Sequence, residues 1–329
     1  MKKLFTLARG VAVAAALMAA SPMLVQAADF PDHPVRGVIG MEPGGSHDYL
    51  LRSLGPILEK KWGHPVVVEN RSGADGRIGM STLARAKPDG YTIGIGTITD
   101  AIHPSLFKDI PYDISKDFQP VSLIAYAPFV LVVGPALDQI KSATEFVEYA
   151  RKHPGEVTYG SSGVGSPFHL GMAQMAAAKG VEMLHVPFRG SAPLATALLG
   201  GEVMSAVVPV GPFIKQIEAG KLRALAVLTD KPLKLMPKVP TLNDELGTQG
   251  LDMMAWLGVL APANTPMDIV NKINADIQTI ITDPAFVEEK LAPQAYVPMP
   301  GTPQDMADRL NQDRAKYAEV IKNAKITVN

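Results

Sequence analysis

Val121-Ser122-Leu123-Ile124-Ala125-Tyr126-Ala127-Pro128-Phe129-Val130-Leu131-Val132-Val133 is one long apolar run, interrupted only at Ala127-Pro128. Strands usually span about 3–10 residues, so a run of this length reads as a strand that crosses from one lobe to another. A second crossing falls around Asp252–Leu260. Two crossings make lobe one discontinuous, 28–127 plus 257–329, with 128–256 as lobe two. Two connecting strands form a hinge, and closure on a ligand is the usual use of that layout.

Outward from this run, strand-like segments alternate with helical ones. They lie at Val35–Met41, Pro65–Glu69, Tyr91–Thr97, Val157–Gly160, Leu184–Phe188, Val203–Val210, Leu222–Leu228 and Met253–Leu260. The runs are near-continuously apolar, as in strands covered on both faces. Helix starts are marked by Ser142-x-x-Glu145, which reads as a capping box, and by Thr265-Pro266, Asp283-Pro284 and Thr302-Pro303. Two long helices, near 266–281 and 303–322, end the chain without a strand between them. The fold class is α/β, with two lobes.

The N-terminus reads as a secretory leader. Lys2, Lys3 and Arg9 precede an apolar stretch, Val11–Ala20, and Val25-Gln26-Ala27 supplies a cleavage signal after Ala27. Removing those three basic residues takes the formal net charge from −1 to −4. A mildly acidic chain with 6% aromatic residues is a poor candidate for nucleic-acid binding. The 329 residues include no cysteine, which excludes disulfides, thiolate chemistry and a lipid-modified cysteine. A free periplasmic product, monomeric and without a cofactor, is expected.

Four strand ends carry candidate chemistry. Glu42-Pro43-Gly44-Gly45-Ser46-His47-Asp48 follows a strand and opens a helix with the apolar face Leu50, Leu51, Leu54, Ile57, Leu58 and Trp62. Glycines allow close backbone approach, and a helix start offers free amides to an anion. Asp48 either serves the site or stabilises the first turn. Tyr159-Gly160-Ser161-Ser162-Gly163-Val164-Gly165-Ser166-Pro167 repeats the design, with Ser166 as N-cap. It lacks the lysine of a phosphate-binding P-loop, and GxGxxG is not present. The third start is Arg189-Gly190-Ser191-Ala192-Pro193 and the fourth is Gly96-Thr97-Ile98-Thr99-Asp100. Ligands of open α/β sheets sit beyond such strand ends. The seven histidines show no HExxH spacing, and the serines do not fit GxSxG, so neither a metal site nor an enzyme is expected. The rival reading is a serine hydrolase using Ser162 or Ser166 with His169. Trp256 and Tyr126, near the crossings, read as hinge or core packing.

These loops carry a family resemblance. The matching stretches include Pro43-Gly44-Gly45-Ser46-x-Asp48, Val68-Glu69-Asn70-Arg71-Ser72-Gly73-Ala74-Asp75-Gly76, Lys87-Pro88-Asp89-Gly90-Tyr91-Thr92, Gly160-Ser161-Ser162-Gly163 and His185-Val186-Pro187-Phe188-Arg189-Gly190-Ser191-Ala192-Pro193. The chain resembles the substrate-binding receptors of tripartite tricarboxylate transporters, the Bordetella uptake gene (Bug) family. The resemblance implies a two-lobed "Venus flytrap" periplasmic binding protein, type II-like, that takes a small carboxylate-containing compound and presents it to membrane permease subunits. A sensor role is the alternative to uptake. Carried over, it places Gly44, Gly45 and Ser46 on one lobe, with Thr97 nearby and Asp48 as a further candidate beside them. Ser161, Gly163, Gly165, Ser166 and Ser191 stand on the other. The sequence departs from the family pattern at Glu42, Asp100 and Val208-Pro209. These positions are read as specificity candidates, with Glu42 or Asp100 expected to face a donor on the ligand.

Overall fold

The computed structural model describes residues 30–328; the leader expected at 1–27 lies outside the described residues. In chain order the first half of the molecule runs β1 (Val35–Ile39), α1 (Ser46–Trp62), β2 (Val66–Asn70), α2 (Arg77–Ala84), β3 (Thr92–Thr97), α3 (Ile98–Leu106) and β4 (Phe118–Val133). There follow α4 (Ala143–Lys152), β5 (Thr158–Ser161), α5 (Pro167–Lys179), β6 (Leu184–Pro187), α6 (Ser191–Gly200), β7 (Ser205–Pro209), α7 (Val210–Glu218), β8 (Arg223–Val227) and α8 (Leu242–Leu246). The chain then returns through β9 (Met254–Pro262), α9 (Met267–Ile281), α10 (Pro284–Phe286), β10 (Val297–Pro298) and α11 (Pro303–Asn323).

β4 joins two sheets. From Phe118 to Pro128 it pairs antiparallel with β9. From Phe129 to Val133 it pairs with β7 on one side and β8 on the other. The changeover falls at Pro128, where the missing amide breaks the ladder. The return passes between Met253, whose amide bonds Leu228 O in the second sheet, and Met254, which pairs Pro128 in the first. The strand order is β2-β1-β3-β9-β4-β7-β5-β6, with β10 and β8 added on β4. β1, β2 and β3 run parallel in one half, and β5, β6 and β7 in the other. Each parallel set aims its carboxyl ends, and the helix starts that follow them, at the same side.

Complete coverage of the strands holds for the central ones only. β2 and β6 are sheet edges, and Val67 and Leu184 are exposed on them. Leu50, Leu51, Leu54 and Leu58 of α1 pack with Val270, Ile273 and Ile277 of α9 in the core of the first half. Each such side chain contributes about 1.5–3 kcal/mol on burial. Ile57 leaves the predicted apolar face and is 38% exposed. α11 lies across both halves, packing on α3 and α5 through Met306, Leu310 and Tyr317.

The caps follow the sequence with two corrections. Thr302 and Asp305 form a reciprocal capping box, and Asp283 and Ser166 cap as expected. Ser142 accepts from Glu145 N, but the Glu145 carboxylate reaches past it to Lys141 N, so the box is half formed. At Thr265-Pro266 the helix begins one residue late. Pro266 is its N-cap, and Thr265 donates instead to Pro262 O.

Candidate functional site

A cavity of about 670 Å³ lies where the two halves meet. Five helices begin on its wall. α1 presents Gly44–Ser46, α3 presents Thr97–Thr99, α5 presents Gly165–Phe168, α6 presents Ser191, and α7 presents Pro209, Gly211 and Pro212. Among the described residues no lysine or arginine lines it. The positive ends of helices are therefore the main fixed source of positive potential, each worth about 0.3–1 kcal/mol to an anion and up to ~2 when partly buried. Phe107, Phe129, Phe168 and Tyr296 supply apolar walls.

The loop before α1 is pinned by Asp48. Its Oδ2 accepts from Gly44 N at 2.9 Å, and its Oδ1 from Arg52 Nε at 2.9 Å and Asn70 Nδ2 at 3.0 Å. Buried behind the loop, Asp48 holds the turn and does not line the cavity. Gly44 takes φ +82°, which a side chain resists. Gly45 caps α1 without a side chain. The amides of Ser46, His47 and Asp48 bond no group among the described residues, as expected for a first turn.

The second loop is built from its own polar groups. Ser161 is buried, and its Oγ donates to Gly163 O (2.9 Å) and accepts from Gly163 N (3.1 Å). Gly165 N donates to His169 Nδ1 at 3.1 Å. Ser166 Oγ donates to Gly163 O and accepts from His169 N. The glycine amides named by the sequence reading are thus consumed inside the loop. Those of Ser162 and Val164 are the ones left without partners among the described residues. Ser161 Oγ also stands 2.6 Å from His185 Nε2, the spacing of an activated serine. It has no surface to meet a substrate, and Ser166 is committed as a cap.

Three specificity candidates lie off the cavity wall. Glu42 is exposed outside it. Asp100 is buried as the third residue of a capping box on Thr97, with Oδ2 2.8 Å from Thr97 N; burial pushes its pKa up to about 6. Val208 is sealed in the core, and only Pro209 of that pair reaches the wall. The sequence reading missed His47, Asp75, Gln294 and Tyr296, all on the wall. Tyr296 shares the wall with Ser46 and comes from the segment that β10 anchors on Ala125 and Tyr126. Among the described residues no three His, Asp or Glu side chains come together as a metal site.

Comparison with known proteins now bears on this geometry. A model of the tripartite tricarboxylate transporter family receptor matches residues 50–326. The chain belongs to this receptor family. A UPF0065 protein encoded in the tcbD-tcbE intergenic region of Pseudomonas sp. (strain P51) is 34% identical over 300 residues, 91% of this chain and 89% of that one. The solved periplasmic binding protein BugD superposes with a TM-score of 0.73 at 30% identity, over 91% of this chain and 99% of its own. A protein of R. palustris solved with adipate superposes with a TM-score of 0.78 at 33% identity, over 91% and 99%. The fold of this receptor is that of a two-lobed periplasmic binding protein. No helix among its described residues is long and apolar enough to cross a membrane.

Under the second loop His169 and His185 stack, with ring centroids 3.7 Å apart and planes 13° apart. Loss of hydration pulls each down to about 4. An unfolded histidine titrates near 6.5. Between about 6.5 and 4 the unfolded chain therefore binds protons that the folded one refuses, and stability falls as pH drops through that window. Chemical denaturation at pH 7 and pH 5 should show a loss on the order of 1 kcal/mol per ring. In His185→Gln the loss should shrink; an unchanged slope would remove the pair as its cause.

Proposed function

We propose that this receptor captures a small carboxylate-containing organic compound, an aliphatic or aromatic acid or its amide, in the periplasm and delivers it to the permease subunits of a tripartite tricarboxylate-type transporter. The observation that carries the reading is the convergence of five helix starts on a cavity lined by no lysine or arginine. The bound adipate of the R. palustris relative supports the same chemistry, and the leader expected at 1–27 supports export. One carboxylate is held by the amides of Ser46, His47, Ser162 and Val164, with the hydroxyls of Ser46, Ser162, Thr97 and Ser191 around it. A hydrogen bond to a charged group contributes roughly 1.5–3 kcal/mol. Several of them, less the cost of immobilisation, reach ~8 kcal/mol and a micromolar constant. The lobes, 28–127 with 257–329 and 128–256, close over the ligand.

A thermal-shift screen of mono- and dicarboxylates, aromatic acids and their amides tests this. At least one acid should raise the melting temperature in a concentration-dependent way, since a ligand of the native state stabilises by mass action. The same acid should lower the radius of gyration in X-ray scattering. A protein that responds only to uncharged compounds, or to none, sinks the reading.

A further inference from the structure

Asp75 lies in the connection between β2 and α2, on the wall of the cavity. Among the described residues it is the one aspartate or glutamate there, and no lysine or arginine shares that wall. Its side chain stays 60% exposed, whereas the partner that holds it, His103, is 3% exposed. His103 Nε2 lies 2.9 Å from Asp75 Oδ2. Oδ1 bonds nothing among the described residues. The nearest guanidinium, Arg77, is engaged elsewhere: its Nε donates to Ala74 O at 2.8 Å and its plane lies 3.9 Å from the Phe107 ring centroid. His47 also faces Asp75, but burial pulls its pKa down to about 4, so it brings no charge at neutral pH. Asp75 itself is held below the usual carboxylate range, chiefly by the His103 hydrogen bond.

The backbone is shaped to present this group. Ala74 and Asp75 take φ of 48° and 54°, and Gly76 follows at 86°. Such a turn is costly for side-chain-bearing residues and persists only where the surroundings enforce it. Here Gly76 packs so tightly on Gly40 that a Cβ at Gly40 would lie 2.5 Å from Gly76 O. The loop cannot swing Asp75 away from the cavity without losing that seat.

We infer that Asp75, positioned by the buried His103, selects ligands that carry a hydrogen-bond donor (a hydroxyl, amide or ammonium) in addition to the carboxylate, and disfavours plain dicarboxylates. The inference rests on the carboxylate reading above and deepens it. The helix starts take the anionic end. Oδ1 of Asp75 then takes a proton-bearing group, and a second carboxylate at that point would meet a like charge, while the Arg77 guanidinium is turned to Ala74 O and the Phe107 ring.

Matched probes test it by titration calorimetry: succinate against malate, benzoate against 4-hydroxybenzoate, and adipate against 6-aminohexanoate. Wild type should bind the donor-bearing member of at least one pair about tenfold or more tightly, the size of one hydrogen bond to a charged group. Asp75→Asn and Asp75→Gly both suit the left-handed backbone and should fold. In both, the preference should drop below about twofold, and Asp75→Asn should bind the donor-free dicarboxylate more tightly than wild type does. If acids bind wild type without regard to the donor, or the preference survives both substitutions, the Asp75 assignment falls and the carboxylate reading stands. If no acid binds wild type at all, both fall.

Discussion

Gly211→Ala should cost the receptor at least about 30-fold in affinity for any acid that wild type binds, roughly 2 kcal/mol. A Cβ built at Gly211 would lie 2.4 Å from the carbonyl oxygen of Gln294 and 3.2 Å from its carbon. Both are backbone atoms and cannot rotate aside. Gly211 belongs to α7, which follows β7 in one half of the molecule, and Gln294 lies just before β10 in the other. The added methyl group therefore wedges the mouth. Within its own helix the change is favourable, since alanine exceeds glycine in helix propensity by about 1 kcal/mol. Loss of affinity without loss of melting temperature would thus isolate the contact between halves. Gly165 meets Leu106 in the same way, with a Cβ 2.3 Å from Leu106 Cδ1. There the obstacle is the end of a flexible side chain. Gly165 also takes φ +77°, which a side chain resists, so Leu106→Ala should relieve only part of the harm done by Gly165→Ala. Calorimetry gives the affinities, and scattering with saturating acid should leave Gly211→Ala as extended as the ligand-free protein. Affinity within about twofold of wild type would show that the mouth closes without this contact.

The fold was legible because β1, β3, β4, β7 and β9 are apolar runs punctuated by proline, glycine and capping residues. Those patterns report local preference and burial together. The break at Ala127-Pro128 could be read because proline acts on its own strand. The site was legible only to the level of loops. Which amide points into the cavity depends on backbone dihedrals at Gly163 and Gly165, and sequence does not display them. Asp100 was read as a ligand contact although Thr97-x-x-Asp100 carries a capping signal, visible only once a helix is placed after Thr97. Asp75 looked like one residue of a glycine-rich turn. Its meeting with His103 joins residues 28 apart, and Tyr296 and Ser46 share one wall across a wider gap. Pairings of that kind follow from the closed architecture and leave no local trace.

Trp256→Ala should destabilise the protein by about 3–5 kcal/mol, the range for emptying the site of a large aromatic. Trp256 is fully buried on β9, opposite Tyr126 of β4, beside the passage between the two sheets. Its Nε1 donates to Asp313 Oδ2 at 2.7 Å, and the same oxygen accepts from Arg309 Nε at 2.9 Å. Removing the indole leaves a cavity and takes one donor from a buried carboxyl whose pKa burial already raises. Trp256→Phe separates the two effects. It keeps most of the apolar volume and loses only the N–H, so it should cost about 1–3 kcal/mol. Urea denaturation followed by circular dichroism avoids relying on the fluorescence of Trp62, the other tryptophan of the chain. Trp256 sits directly behind the cavity wall, so stability and affinity should fall together in the alanine variant as the wall loses its support. The phenylalanine variant should lose stability with little change in affinity, because the space behind the wall stays largely filled while the lost hydrogen bond points away to α11. Equal loss of affinity in both would mean that the indole N–H, through Asp313, sets the geometry of the cavity floor, and that the tryptophan is more than the core residue its sequence context suggests.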